Sequence, residues 1–110
     1  MYAQLTYFDG PRSAEVSAAS DHAGRDRLQP AIEADPQMQR ELVSLLVLRK
    51  DDGGQVVVAV TQTEAGLARA REVIMSTELL PDVDPALLSE PDRVEVYGVV
   101  ESRTYQPATV

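Results

Sequence analysis

His22 is the one histidine in the chain, and imidazole is the side chain whose ordinary pKa lies closest to neutrality. It is the first candidate for a general base. The spacing sets it beside the Val16, Ala19 and Ala23 stripe and next to Asp21, so a solvated helix histidine is the competing reading. Tyr7 and Tyr97 offer phenols that can exchange a proton with a bound phenolate; Thr6 and Gln4 lie on the strand of Tyr7, and Gln62 can orient a carbonyl. The structural alternative is that Tyr2, Tyr7 and Tyr97 simply cover a sheet, where β-propensity alone places them. Arg49 can neutralise an anion at a pocket mouth or pair with an acid at the surface. Asp51-Asp52 beside Gly53 reads as a turn and not as a metal dyad, and Asp82 and Asp84 read as turn and cap residues. No metal and no cofactor are expected.

Composition narrows the chemistry further. The 110 residues contain no Cys and no Trp, and the net charge is −8 from 18 acidic and 10 basic residues. A thiolate metal site and a disulfide framework are thereby ruled out. Nucleic acid is disfavoured, because phosphate neutralisation needs clustered Lys and Arg. No apolar run approaches the roughly 18 residues of a membrane span, and the first residues lack the pattern of a secretory leader. The expectation is one cytoplasmic domain over residues 1–101, followed by a polar tail over 102–110.

The elements that must position these side chains can be read in order. Tyr2 to Phe8 is rich in strand formers and ends at Gly10-Pro11. Ser13 caps a long helix to Asp35, with a kink or break expected between Asp26 and Pro30. A polar connection, Gln37 to Glu41, leads to a hairpin around Asp52-Gly53. A two- or four-residue loop pairs Lys50 with Gln55, Leu48 with Val57 and Leu46 with Ala59, whereas a three-residue loop breaks that register. Thr61-Gln-Thr-Glu64 fits a capping box, with Thr63 as the alternative cap. It opens a helix to Ser76 with Leu67, Ala70 and Ile74 as its stripe and Val73 beside it. A short helical turn follows at Asp84 to Leu88, and the last strand runs from Arg93 to Glu101.

The order β-α-β-β-α-β is α+β and ferredoxin-like: a four-stranded antiparallel sheet with two helices on one face. The other face stays bare, and the hairpin carries Val and Leu on both parities. At roughly 25 cal/mol per Å² of apolar area, such a face holds several kcal/mol of unused driving force. Patches of that size are usually interfaces, and a two-fold dimer is the simplest closure. A homodimer through the sheet face is therefore expected.

Tyr2-Ala-Gln-Leu-Thr6, Pro30, Leu45-Leu-Val-Leu-Arg49, Gly54, Val57 to Thr61, Thr63-Glu64 and Val94-Glu-Val-Tyr97-Gly-Val-Val100 together resemble the antibiotic biosynthesis monooxygenase-like proteins. These belong to the dimeric α+β barrel superfamily, and the resemblance covers about residues 2 to 101. It implies a pocket between sheet and helices and a cofactor-independent monooxygenase acting on a phenolic or polycyclic small molecule. Such chemistry needs a base or hydrogen-bond partner in an apolar, water-poor cavity. Many members carry Trp where the third strand meets the second helix, and Gln62 stands there in this chain. The haem-degrading branch carries an Asn on strand one, that Trp, and a His after helix two. This chain has no Asn and no Trp, and its His lies in helix one. The competing function is a non-catalytic dimeric module that binds a small hydrophobic or aromatic ligand, or whose pocket is filled by its own side chains; a lactone isomerase or a stress-associated protein on the same scaffold is a third reading. A cavity near Thr6, Gln62 and Tyr97 would favour binding there; filling by Met75, Leu67 and Phe8 would not.

Overall fold

Turn and cap residues cut the chain into elements, and its apolar runs then decide which faces they bury. The computed structural model describes residues 1–108, so the last two residues of the expected 102–110 tail lie outside the described residues. Strand β1 (Tyr2–Phe8) is followed by Ser13, whose hydroxyl accepts from the Val16 amide at 3.1 Å and opens helix α1 (Ala14–Ala23). The kink expected between Asp26 and Pro30 is not a break. One wide π turn, Gly24–Leu28, carries the helix directly into α2 (Gln29–Ala34). Pro30 stands at the start of α2, where a missing amide hydrogen costs least.

Asp35 ends one helix and begins another. Its carboxylate accepts from the Met38 amide at 3.1 Å and caps α3 (Pro36–Glu41). The polar connection expected over Gln37 to Glu41 is thus a helix, and it buries Met38 to 1% exposure. Asp35-Pro36 is the same cap-and-proline signal that opens the 3-10 turn Pro85–Leu87 behind Asp84. The carboxylate also anchors a neighbour: Arg69 donates from Nη2 to Oδ1 at 2.6 Å and from Nε to Oδ2 at 3.2 Å. Arg69 lies on α4 (Glu64–Ser76), so this pair ties the α2–α3 junction to α4.

Strands β2 (Leu42–Arg49) and β3 (Gln55–Thr61) form the hairpin, but one residue away from the expected register. Arg49 pairs with Gln55, Leu48 with Val56 and Leu46 with Val58. The loop is the cause. The Lys50 amide donates to the Gly54 carbonyl at 2.7 Å and the Gly53 amide to the Lys50 carbonyl at 3.0 Å, closing an odd-length turn. Gly53 adopts φ +90°, and a Cβ there would run into the Arg12 carbonyl. The slip changes which side chains share a face. Leu46 and Leu48 now stand with Val56 and Val58 rather than with Val57 and Ala59.

Thr63, and not Thr61, caps α4, accepting from the Gly66 amide at 3.3 Å. Glu41 in turn accepts from the Thr63 amide at 3.0 Å and from its hydroxyl at 2.9 Å, binding the end of α3 to the start of α4. Strand β4 (Arg93–Gly98) stops short of the expected Glu101. The sheet order is β2-β3-β1-β4, with every neighbouring pair antiparallel. The fold is α+β with an open four-stranded antiparallel sheet, compatible with a ferredoxin-like class. Where two helices were expected, the layer comprises the α1–α2 arm, α3 and α4. Its core joins Ile32, Met38 and Val73, with Ala70 and Ile74 packed against them. No helix among the described residues is long and apolar enough to cross a membrane.

Arg69 holds the Asp35 carboxyl below the usual range, chiefly by hydrogen bonding and also by its charge, with the Met38 amide assisting. A depressed folded pKa gives stability that is present above the unfolded value of about 3.9 and lost as pH falls through the folded one. Asp35→Asn keeps a good cap but loses the charge. Its urea midpoint should lie below that of the native chain at pH 7, and the gap should close as pH falls below about 4. A gap independent of pH would show that the ion pair is not what the aspartate contributes.

Candidate functional site

Side chains opposite one another in an antiparallel pair project to the same face, so the pairing sorts the sheet into two surfaces. Phe8, Thr6, Gln4 and Tyr2 lie with Gln55, Val57, Ala59 and Thr61 on the helix side. Arg49 fixes this assignment, because it reaches Asp21 of α1 with bonds of 2.6 and 3.1 Å. The outer face carries Ala3, Leu5 and Tyr7, then Val56, Val58 and Val60, Leu46 and Leu48, and finally Arg93, Glu95 and Tyr97. Leu46 and Leu48 are 52% and 50% exposed there.

A polar cluster closes one edge of that outer face. The Arg93 guanidinium lies 3.8 Å from the centroid of the Tyr7 ring. Its Nε donates to Glu95 at 3.2 Å, and the Tyr97 hydroxyl donates to the other Glu95 oxygen at 2.5 Å. Tyr97 first, and Arg93 second, hold the Glu95 carboxyl below its ordinary pKa. The same bond pushes the Tyr97 phenol upward. Its bond to Glu95 favours the protonated form of Tyr97, which acts here as a hydrogen-bond donor. A cavity of about 330 Å³ opens beside this cluster at the hairpin end, with Tyr7, Leu48, Val56 and Arg93 in its wall.

A second cavity, about 200 Å³, lies on the helix side between Phe8, α1, the π turn and α4. Two arginines, Arg12 and Arg27, and two hydroxyls, Ser20 and Ser89, share its wall with apolar side chains. Neither cavity is lined by Thr6, Gln62 or Tyr97. Of the residues expected to fill such a space, Phe8 lines both cavities, Leu67 is buried, and Met75 is exposed.

The sequence candidates are dispersed. Tyr7 and Tyr97 meet on the outer face; Thr6 and Gln4 point the opposite way, beneath the helices. Gln62 is exposed beyond the end of β3, its amide donating to the Glu41 carbonyl at 2.9 Å. His22 is engaged at both ring nitrogens: Nδ1 lies 2.6 Å from Asp26, and Nε2 lies 3.1 Å from Asp82. Asp82, then Asp26, raises its pKa, and the pairing lowers that of Asp82. Both ring nitrogens thus have carboxylate partners, which favours the protonated form and a tethering role. Asp52 caps its own turn through the Gly54 amide at 2.8 Å. Among the described residues no group of three or more His, Cys, Asp or Glu is placed to hold a metal ion.

Four functional candidates, Arg12, Arg27, Arg93 and Glu95, were not read from sequence. Arg93 and Glu95 could have been found, since 93, 95 and 97 alternate onto one face of a strand. Arg12 carries no local signal: its burial depends on the Gly53 turn and the Phe8 ring, distant in sequence or unremarkable in type. The fold and these surfaces define an α+β protein with an open antiparallel sheet, one apolar outer face and a small helix-side cavity. No protein-family model matches the chain, and neither a curated protein nor a solved structure matches it.

A raised folded pKa gives His22 a tethering contribution that is complete below about 6.5 and lost as pH rises through the folded value. In an NMR titration the His22 imidazole should titrate above about 6.5, and Asp82→Asn should shift it downward. Asp26 and Asp82 are the acids that face it, with Arg25 behind Asp26 at 3.7 Å. An unchanged midpoint in Asp82→Asn would place His22 outside any tether.

Proposed function

We propose that this chain is a non-catalytic binding module that works as a homodimer. Two copies close the outer faces of their sheets against one another, as in a dimeric α+β barrel, and each helix layer is left free to hold a small molecule. The observation that carries this reading is the outer face itself. Its apolar residues run across β1, β2 and β3, with Leu46 and Leu48 about half exposed and the rest partly so among the described residues. The charges at its paired positions, Arg93 and Glu95, cancel, as do Asp9 and Lys50 at its hairpin end. A neutral face on a chain of net charge −8 is where two copies can meet with least repulsion. A two-fold axis would also set each Arg93–Glu95 strip against its own copy in a self-complementary way.

The alternative is a cofactor-independent monooxygenase acting on a phenolic or polycyclic substrate, the activity implied by the resemblance to the antibiotic biosynthesis monooxygenase-like proteins. The observation in its favour is the cavity of about 330 Å³ with Tyr7 in its wall, which falls in the usual ligand range. The dispersal of Thr6, Gln62 and Tyr97, and the engagement of both His22 ring nitrogens by Asp26 and Asp82, favour the module.

Sedimentation velocity at micromolar protein should give a dimer, and Leu46→Asp, which leaves the helix-side core untouched, should give a monomer with an unaltered far-ultraviolet spectrum. A native chain that stays monomeric at every concentration would overturn the reading. Oxygen uptake should be absent with a hydroxyanthrone; uptake that Tyr7→Phe abolishes would instead establish the monooxygenase.

A further inference from the structure

We propose that the helix-side cavity is a binding site for a small aromatic carboxylate, with Arg12 and Arg27 recognising its charge. The first ground is the charge of the wall. The chain has 18 acidic against 10 basic residues, yet this cavity is lined by two arginines and by no Asp or Glu. Five arginines elsewhere are paired with carboxylates, among them Arg49 with Asp21, Arg69 with Asp35 and Arg93 with Glu95, whereas Arg40 and Arg71 lie outside this cavity without such a pair among the described residues. Neither Arg12 nor Arg27 has a carboxylate within ion-pair distance among the described residues.

The second ground is an unmet demand for acceptors. Nε and Nη1 of Arg12 are shut off from solvent and have no hydrogen-bond partner. Arg12 as a whole is half-buried; a guanidinium nitrogen closed to water without an acceptor is costly, and a carboxylate relieves it once the side chain turns those nitrogens toward the cavity. The side chain is also held in place, its guanidinium 5.2 Å from the centroid of the Phe8 ring. Arg27 is oriented by a neutral partner, donating from Nε to the Thr77 hydroxyl at 2.8 Å, which fixes its direction and leaves its charge uncompensated. Asp21 feels the charge of Arg12 from beyond ion-pair distance, so an anion would find here two positioned cations, neither of them directly paired.

Size and polarity complete the description. Phe8, Leu28, Ile74 and Leu88 give the cavity apolar walls, so a bare inorganic anion would leave them unused. Ser20 and Ser89 add hydroxyls that can donate to a carboxylate oxygen. The volume of about 200 Å³ lies below the roughly 300–1,000 Å³ of drug-sized ligands. One ring with a carboxylate fits that description, and a polycycle does not. The site is separate from the outer face, so the inference stands or falls independently of dimer formation.

The test is calorimetric titration of the full chain with benzoate, with benzyl alcohol as the neutral counterpart and acetate as the ringless one. Benzoate should bind once per chain, about tenfold or more tighter than either control, as charge-assisted bonds with an apolar wall require. Arg27→Gln should weaken benzoate by about tenfold while leaving benzyl alcohol unchanged. Arg12→Gln should do the same, and if that variant fails to fold, Arg27→Gln decides. Absence of benzoate binding at millimolar concentration, equal binding of benzyl alcohol, or benzoate affinity unchanged in Arg27→Gln would each overturn the proposal. Sedimentation of the same samples reads self-association separately, so a failure of the cavity site and a failure of the dimer are distinguishable.

Discussion

The pair formed by Asp35 and Arg69 is the constraint on which the rest of the helix layer depends. One carboxylate ends α2, caps α3 and receives the guanidinium of α4. Three helices thereby converge on a single side chain, and the core of Ile32, Met38 and Val73 assembles around that point. Glu41 and Thr63 repeat the device one helix further on, fastening the end of α3 to the start of α4. Apolar burial supplies the driving force, but it is non-directional. These charged caps choose the angle at which the helices meet. With the layer so placed, α4 rests over β1 and β3, and the edge strands project beyond it.

That placement explains why both faces of the sheet have something to offer. The helix layer covers only the central strands, leaving Leu45, Val47, Val94 and Val96 about half exposed on its own side. The space between Phe8, the π turn and α4 remains open as a small cavity. The π turn helps to shape it. Its wider ring of backbone carries Arg27 and Leu28 into the wall at a point where an uninterrupted α-helix would present different residues. On the opposite surface Leu46 and Leu48 stand about half exposed, with the valines of β3 partly exposed beside them.

Much of this arrangement was legible in the sequence, and the misses have physical causes. The order of strands and helices followed from turn residues, caps and period-two runs. So did the bare sheet face. The register of the hairpin did not follow, because Asp52-Gly53-Gly54 supports turns of several lengths and only the geometry at Gly53 selects the odd one. Helix α3 was hidden by its polarity: six residues are too few to show a period, although Asp35-Pro36 announced a cap. The candidate site was harder still. Alternation along β4 could have grouped Arg93 and Glu95 with Tyr97. The isolation of Arg12 and Arg27 is a property of what does not approach them, and sequence carries no record of absent neighbours.

The strand order has a consequence for how the chain comes into being. β1 is made first, yet it occupies an interior position, flanked by β3 on one side and β4 on the other. The hairpin can form as soon as residue 61 has been synthesised, and β1 can then join its free edge. Tyr2 through Tyr7 still lack their second neighbour until residues 93 to 98 have appeared. Between the synthesis of residue 61 and that of residue 93 the sheet is therefore incomplete, with an unpaired inner edge of the kind that invites pairing with another chain. Contacts between the two ends of the sequence close the sheet last, which favours slow folding over fast. A chain cut before residue 93 would still contain the residues of the hairpin and of every described helix, and would lose the strand that makes β1 an interior one.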